Sequence, residues 1–279
     1  MESTMISSFK QKSTKLPVGI VLLGSILLLG GCVDDGEDGA VGATGATGAT
    51  GAVSAAGSAS LKRLATAPVG AEFTGLFLNT DGALFLNIQH PSDSNATVDN
   101  DGKTFNKGTV GVITGTDFNS LGNIAAMDMP VATPDKEVVM TAVGQYKVLV
   151  QQADALNDGN KMGDILASDG TTVIKSSNDP DFNAAVPDGD GGYYLYSNWE
   201  DRPGSMSRIK ISPDYATVTA EGMLDFSSGD GTCVNCFGTL SPWRTPLSSE
   251  ELYFDNTADW FDPDYKYFSN AEAIAEYKG

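Results

Sequence analysis

From Leu61 onward, apolar and polar residues alternate in short runs separated by Asp, Asn and Gly. The stretch "GLFLNTDGALFLNIQH" has apolar positions two apart on both sides of Asp81-Gly82, which predicts a β-hairpin turning at that dipeptide. "GTVGVITG", "EVVMTAVGQYKVLVQQ", "TTVIKSS", "GYYLYSNWE", "MSRIKIS" and "ATVTAEGMLDF" continue the period of two. A helical period is missing until "NAEAIAEYKG", where Asn270 is placed to cap a short final helix. Many short, evenly spaced strands predict an all-β sandwich, barrel or propeller.

The segment before Leu61 has a different pattern. Lys10, Lys12 and Lys15 precede the apolar run "LPVGIVLLGSILLLGGC", which is too short and Gly-rich for a comfortable span and reads as a secretory leader. Its end, "LGGC", resembles the lipobox of bacterial lipoproteins. In that reading residues 1–31 are a signal peptide, and Cys32 takes the lipid and becomes the new N-terminus. Val33 at the next position points to the outer membrane of the cell envelope. From Gly36 to Val53, Gly stands at every third position, the collagen period, but without the proline that stabilises a triple helix. Residues 32–60 therefore read as a lipid-anchored, collagen-like flexible linker rather than a trimerising stalk. Its coil would average about 30 Å, lifting a domain at 61–279 off a membrane surface.

Charge narrows the partners. Seventeen Lys+Arg face 36 Asp+Glu among 279 residues, a net charge of −19, and loss of the leader makes the mature chain about two charges more negative. Such a chain repels phosphodiester backbones, so nucleic acid is excluded as a partner. The Asp-rich stretches "NDGNKMGD", "SNDPDF", "PDGDGG" and "SSGDGT" lack the spacing of an EF-hand and read as solvated turns. There is no GxSxG, GxxxxGK[ST] or HExxH, and His90 is the single histidine.

"VNCFGTLSPWRTPLSSEEL", residues 234–252, is broken up by Gly and Pro and reads as loop entering and leaving a strand. It brings Cys236 close in sequence to Glu250 and Glu251, while Cys233 completes a CxxC pair. Outside the cytoplasm such a pair is either a local disulfide or two thiols. No helix follows to make it thioredoxin-like, and too few Cys and His remain for a structural zinc site. Thiolate and carboxylate chemistry survives: hard oxygen ligands with one softer donor.

On these residues the protein resembles the PhoX-type alkaline phosphatases. "NCFGTLSPWRTPLSSEE" is similar to the family's Asn-Cys…Thr-Pro-Trp-Gly-Thr…Glu-Glu signature. "SNDPDFNAAVP" with "GYYLYSNWEDRPGSMSRIKI" resembles its strand ending in Asn-x-Glu and the Ser-Arg strand after it. "AEFTG" and "DGALFLNIQHPSD" resemble its Glu-x-Thr-Gly and Gln-His-Pro segments. The resemblance implies a β-propeller phosphomonoesterase with iron and calcium in its central channel. Carried over by position, Cys236 is the iron thiolate and Glu251, with Glu250, the carboxylate ligand. Glu200 and Glu72 are further metal candidates as acidic residues at strand ends, and Asn198 supports the ligands from behind. Arg208 and Arg244 are candidates to clamp the phosphate ester substrate. No catalytic residue is assigned.

The sequence departs from the family pattern in three ways. Arg244 stands at the family's Gly, Gln-His-Pro lies early rather than late, and the chain stops about thirty residues after the signature. The expectation is a partial or permuted propeller of at most about five blades, at 40–50 residues each, with an incomplete site in these 279 residues alone. The alternative is a non-catalytic surface lipoprotein, a binding module on a collagen-like stalk.

Overall fold

A computed structural model describes residues 61–167, 171–226 and 231–251, all within one structural unit, Ser58–Gly279. The lipobox, the Gly-X-Y linker and the expected final helix lie outside the described residues. Among the described residues the strands are β1 (Ala65–Thr66), β2 (Glu72–Leu78), β3 (Leu84–Gln89), β4 (Thr109–Thr114), β5 (Met140–Thr141), β6 (Gln145–Gln151) and β7 (Asp164–Leu166). They continue as β8 (Val173–Ser176), β9 (Pro180–Pro187), β10 (Tyr193–Trp199), β11 (Ser205–Ile211), β12 (Val218–Met223), β13 (Asn235–Leu240) and β14 (Pro246–Glu250). The only α-helix among them is a single turn, α1 (Thr133–Lys136), so the fold is all-β.

Two four-stranded antiparallel sheets dominate, one in the order β2-β3-β4-β6 and the other in the order β12-β11-β10-β9. Three two-stranded sheets, β1-β5, β7-β8 and β13-β14, complete the set. The Asp81-Gly82 hairpin forms as its sequence predicts, pairing Leu78 with Leu84. "EVVMTAVGQYKVLVQQ" instead splits into β5 and β6, because Gly144 turns the backbone in the left-handed region (φ 68).

Strand β3 is buried along its whole length, since the sheet has a core on each face. On one face Phe85 joins Val110, Val112, Leu195, Trp199, Ile209 and Ile211, so this core spans both large sheets. On the other, Leu84, Leu86 and Ile88 pack with Phe105, Ile113 and Tyr146 under the segment that enters from Leu64 and Ala71. Trp199, fully buried at the end of β10, donates its indole N–H to Ser207 Oγ at 2.9 Å.

The start of β2 lies against the start of β9 through a polar seam rather than an apolar one. Thr74 Oγ1 donates to the Pro180 carbonyl at 2.6 Å, and Asn183 Nδ2 donates to the Gly75 carbonyl at 3.0 Å and to Asn87 Oδ1 at 2.8 Å. Ser197 Oγ donates to Asn183 Oδ1 at 2.6 Å, and Asn87 Nδ2 donates to the Asp181 carbonyl. Gly75 makes the approach feasible. It sits at φ 60 in a bulge of β2, where a Cβ would collide with the Asp181 carbonyl and crowd the Asn87 and Asn183 amides at 2.7 and 2.8 Å.

The stretch 234–252, expected as loop entering and leaving a strand, holds two strands, β13 and β14, paired as a hairpin with Ser241–Thr245 as its turn. Gly238 lets β13 close on β9, since a Cβ there would enter the Phe182 ring. Arg244 holds the left-handed conformation (φ 64) at the hairpin turn, a conformation that glycine adopts without strain.

Candidate metal centre

Strand direction gathers the acidic and thiol groups at one end of the sheets. Glu72 opens β2 and pairs across the ladder with Gln89, the last residue of β3. Asp181 is the second residue of β9, Glu200 follows directly on β10, and Cys236 is the second residue of β13. The Glu200 amide donates to the Asp179 carbonyl at 2.8 Å, which holds the end of β10 beside the start of β9. As a result Asp181, Glu200 and Cys236 offer two carboxylate oxygens and a sulfur all within 4.8 Å of one another, each half-buried.

Crowding shows in their proton affinities. Burial pushes the Asp181 carboxyl up to about 7; the hydrogen bond from the Cys236 thiol opposes this, and the Glu200 and Glu72 charges add to it. Burial likewise raises Asp179, to about 6, helped by the Asp201 charge and opposed by His90. The Cys236 thiol is raised well above the ordinary thiol range by burial first, then by the charge of Asp181 and its hydrogen bond, with Glu200 and Glu251 contributing. The cluster thus holds protons on a carboxyl that would be anionic in neutral water and on a thiol that keeps its proton well into the alkaline range.

The supports of this cluster are specific. Asn198, fully buried, donates from Nδ2 to the Cys236 carbonyl at 3.1 Å and to Ser248 Oγ at 3.0 Å, tying β10 to both strands of the hairpin. The Glu251 amide donates to the Val234 carbonyl at 3.0 Å, and its carboxylate lies within reach of the Cys236 thiol as an alternative acceptor to Asp181. Glu250 has another task, accepting the Cys233 backbone N–H at 2.8 Å and so closing the hairpin's open end. Neither Cys233 nor Cys236 is in a disulfide; Cys233 is buried, and Cys236 is accessible to the cluster.

Glu72 stands at the edge of the group, where its carboxylate meets His90 Nε2 at 3.0 Å while His90 Nδ1 meets the Gly70 carbonyl at 2.9 Å. Burial alone would lower the His90 pKa, but the hydrogen bonds to Glu72 and Gly70 and the Glu72 charge outweigh it, so the net shift is upward. With acceptors at both nitrogens, the imidazolium is the form that satisfies the ring.

Of the residues singled out in the sequence, Cys236 and Glu200 come together directly, Glu251 and Glu72 adjoin them, and Asn198 braces the thiol strand. Arg208 is held on β11 by Glu221, with its guanidinium 5.3 Å from the Tyr194 ring centre. Arg244 lies at the hairpin turn, at the opposite end of β13 from Cys236. Asp181 is the member that sequence reasoning missed. Its stretch "SNDPDF", expected as a solvated turn, instead opens β9 and is half-buried against β2. The available signal was the polar residue at every second position of "DPDFN" leading into an apolar strand.

The donor set suits a metal ion. One thiol and two carboxylates within a cation's reach combine soft and hard character. A second observation points the same way: Gln89, 4% exposed, donates from Nε2 to Glu200 Oε2 at 2.9 Å, yet its buried Oε1 has no hydrogen-bond partner. No family model, curated protein or solved structure matches this protein.

Proposed function

We propose that this protein is a PhoX-like, metal-dependent phosphomonoesterase, anchored to the bacterial cell envelope through Cys32 and using iron and calcium. The observation that carries this reading is the convergence of Asp181 from β9, Glu200 from just beyond β10 and Cys236 from β13 within 4.8 Å. The strand arrangement supports a partial β-propeller. Each large sheet is a four-stranded antiparallel meander apart from the β5 excursion, their first strands β2 and β9 lie side by side, and β13 lies next along β9. Successive blades around an axis have this arrangement, with β13–β14 as the beginning of a third.

In this reading Cys236, Asp181 and Glu200 hold the thiolate-bound cation, and Glu251 and Glu72 extend the acidic rim toward further cations. Bound cations would neutralise phosphoryl oxygens and orient an oxygen nucleophile in line with the leaving group. The protein's own contribution is positional. Asn198 fixes the backbone of Cys236, the Thr74–Pro180 and Asn87–Asp181 hydrogen bonds fix that of Asp181, and Gln89 holds Glu200.

The purified full-length protein should carry iron with calcium and show a visible thiolate charge-transfer band that Cys236→Ser removes and Cys233→Ser leaves. Hydrolysis of p-nitrophenyl phosphate by cell envelopes that lack other phosphatases should fall with Cys236→Ser. A colourless, metal-free protein would refute the proposal. It would favour instead a binding module, a reading supported by Phe237, Trp243 and Leu247, which leave apolar surface exposed along the β13–β14 hairpin.

A further inference from the structure

We infer that Gln89 supplies a fourth, uncharged donor to the cation held by Asp181, Glu200 and Cys236, an assignment that rests on the metal-centre reading above. Glutamine is rarely buried to this degree, and a buried acceptor without a partner destabilises a fold by about 1–3 kcal/mol. Yet Gln89 is 4% exposed, and its Oε1 is buried with nothing donating to it. In the cation-free protein its Nε2 lies 2.9 Å from Glu200 Oε2. One end of the side group is thus engaged with a cluster ligand, and the other is left open for an electropositive partner.

The distances suit shared coordination. Oε1 and Nε2 of one amide are about 2.3 Å apart by covalent geometry, so Oε1 lies within about 5 Å of Glu200 Oε2. With a cation between them, a half-turn of the amide would exchange the two atoms, give up the Nε2 hydrogen bond and place the oxygen about 2.9 Å from Glu200 Oε2. Two oxygens bound about 2.1 Å from one octahedral cation are about 3 Å apart, so the exchanged amide fits one coordination shell.

Charge explains why the donor is an amide. Bound to a cation, Asp181, Glu200 and the Cys236 thiolate would bring three negative charges, with Glu72 and Glu251 adjoining. A neutral oxygen raises the coordination number without further repulsion. It also comes from a different part of the fold, since Gln89 ends β3 of the first sheet while the other donors lie on β9, just beyond β10 and on β13. The cation would therefore clasp both large sheets and the hairpin.

The test is titration of the full-length protein, purified in detergent, with Co2+, reading the thiolate charge-transfer band in wild type, Gln89→Leu and Gln89→Glu. A ligand role predicts at least tenfold weaker Co2+ binding in Gln89→Leu and affinity equal to or above wild type in Gln89→Glu, which keeps the oxygen. If Gln89 only donated to Glu200, Gln89→Glu would be as weak as Gln89→Leu, because two carboxylates would then face each other. That result, or a loss below tenfold in Gln89→Leu, overturns the assignment. Absence of a Co2+ band in wild type overturns the metal centre itself and is thereby distinguished. Infrared difference spectra of wild type labelled with 13C-glutamine need no variant: Co2+ should lower the carbonyl stretching frequency of one labelled amide, and an unshifted spectrum rejects Gln89 as a ligand.

Discussion

Asp181→Asn should stabilise the cation-free protein at alkaline pH while destroying its capacity to bind a cation. Protonated Asp181 donates toward Glu200 and accepts from the Cys236 thiol, and asparagine reproduces both roles with Nδ2 and Oδ1. The carboxyl titrates near 7 in the folded protein against an ordinary 3.8, so the folded state holds its proton more tightly than the unfolded state. Wild type and variant should therefore match below about pH 4, where the carboxyl is neutral in both states. As pH rises through 7, wild type loses stability and the asparagine does not. The gap corresponds to at most about 4 kcal/mol; because the carboxyl is partly solvated, screening reduces the expected difference at pH 8 to about 2 kcal/mol. That equals about 4–8 °C in midpoint for a domain of this size. Urea unfolding in EDTA at pH 4, 6 and 8 measures it. A pH-independent difference, or a variant less stable than wild type at pH 8, would refute the reasoning. In the same variant, Co2+ should no longer raise the melting temperature.

Gly75→Ala should destabilise the protein by about 3 kcal/mol, combining left-handed strain with the collision at the Asp181 carbonyl, and thermal unfolding reports it. Asn198→Leu should cost about 1–3 kcal/mol by leaving the Cys236 carbonyl and Ser248 without their donor, and should weaken Co2+ binding in the charge-transfer titration. Arg244→Gly should raise stability by about 1 kcal/mol in urea unfolding, by relieving a positive φ at an exposed turn.

How much of this could be read in advance depended on whether the signal was local. The Asp81-Gly82 hairpin and the strands around it follow from alternation and turn chemistry carried within a dozen residues. Glu72 and Glu200 were legible as acids at strand ends, and both lie at the ends expected of them. Asp181 was not, because Asn-Asp-Pro-Asp is a turn signal by composition, and only its hydrogen bonds to β2 and β3 make it the opening of a buried strand. The seam of Asn87, Asn183 and Ser197 was hidden for a related reason. A polar residue inside an alternating run reads as solvent-facing, whereas here the sheet face meets a second sheet. The β13–β14 hairpin was obscured by Gly238, Pro242 and Pro246; Gly238 is what lets β13 reach Phe182 and carry Cys236 to the cluster.

The placement of the candidate donors at one end of the strands bears on how an anionic ester would approach. Asp81 lies at the other end, bonded by the Tyr193 and Tyr215 hydroxyls at 3.1 and 2.5 Å, as do Asp188 and Asp190, beside Lys210 at 3.0 and 3.5 Å. Strand β9 has eight residues, so the two ends are about 25 Å apart, three times the roughly 8 Å over which charges act at physiological ionic strength. In dilute buffer the whole charge of −19 would slow the encounter. At physiological salt the turn-end acids are hidden from an incoming ester, which meets only the charge of the rim and whatever cations it holds. The association rate of a phosphate ester should therefore climb with added salt and then level off.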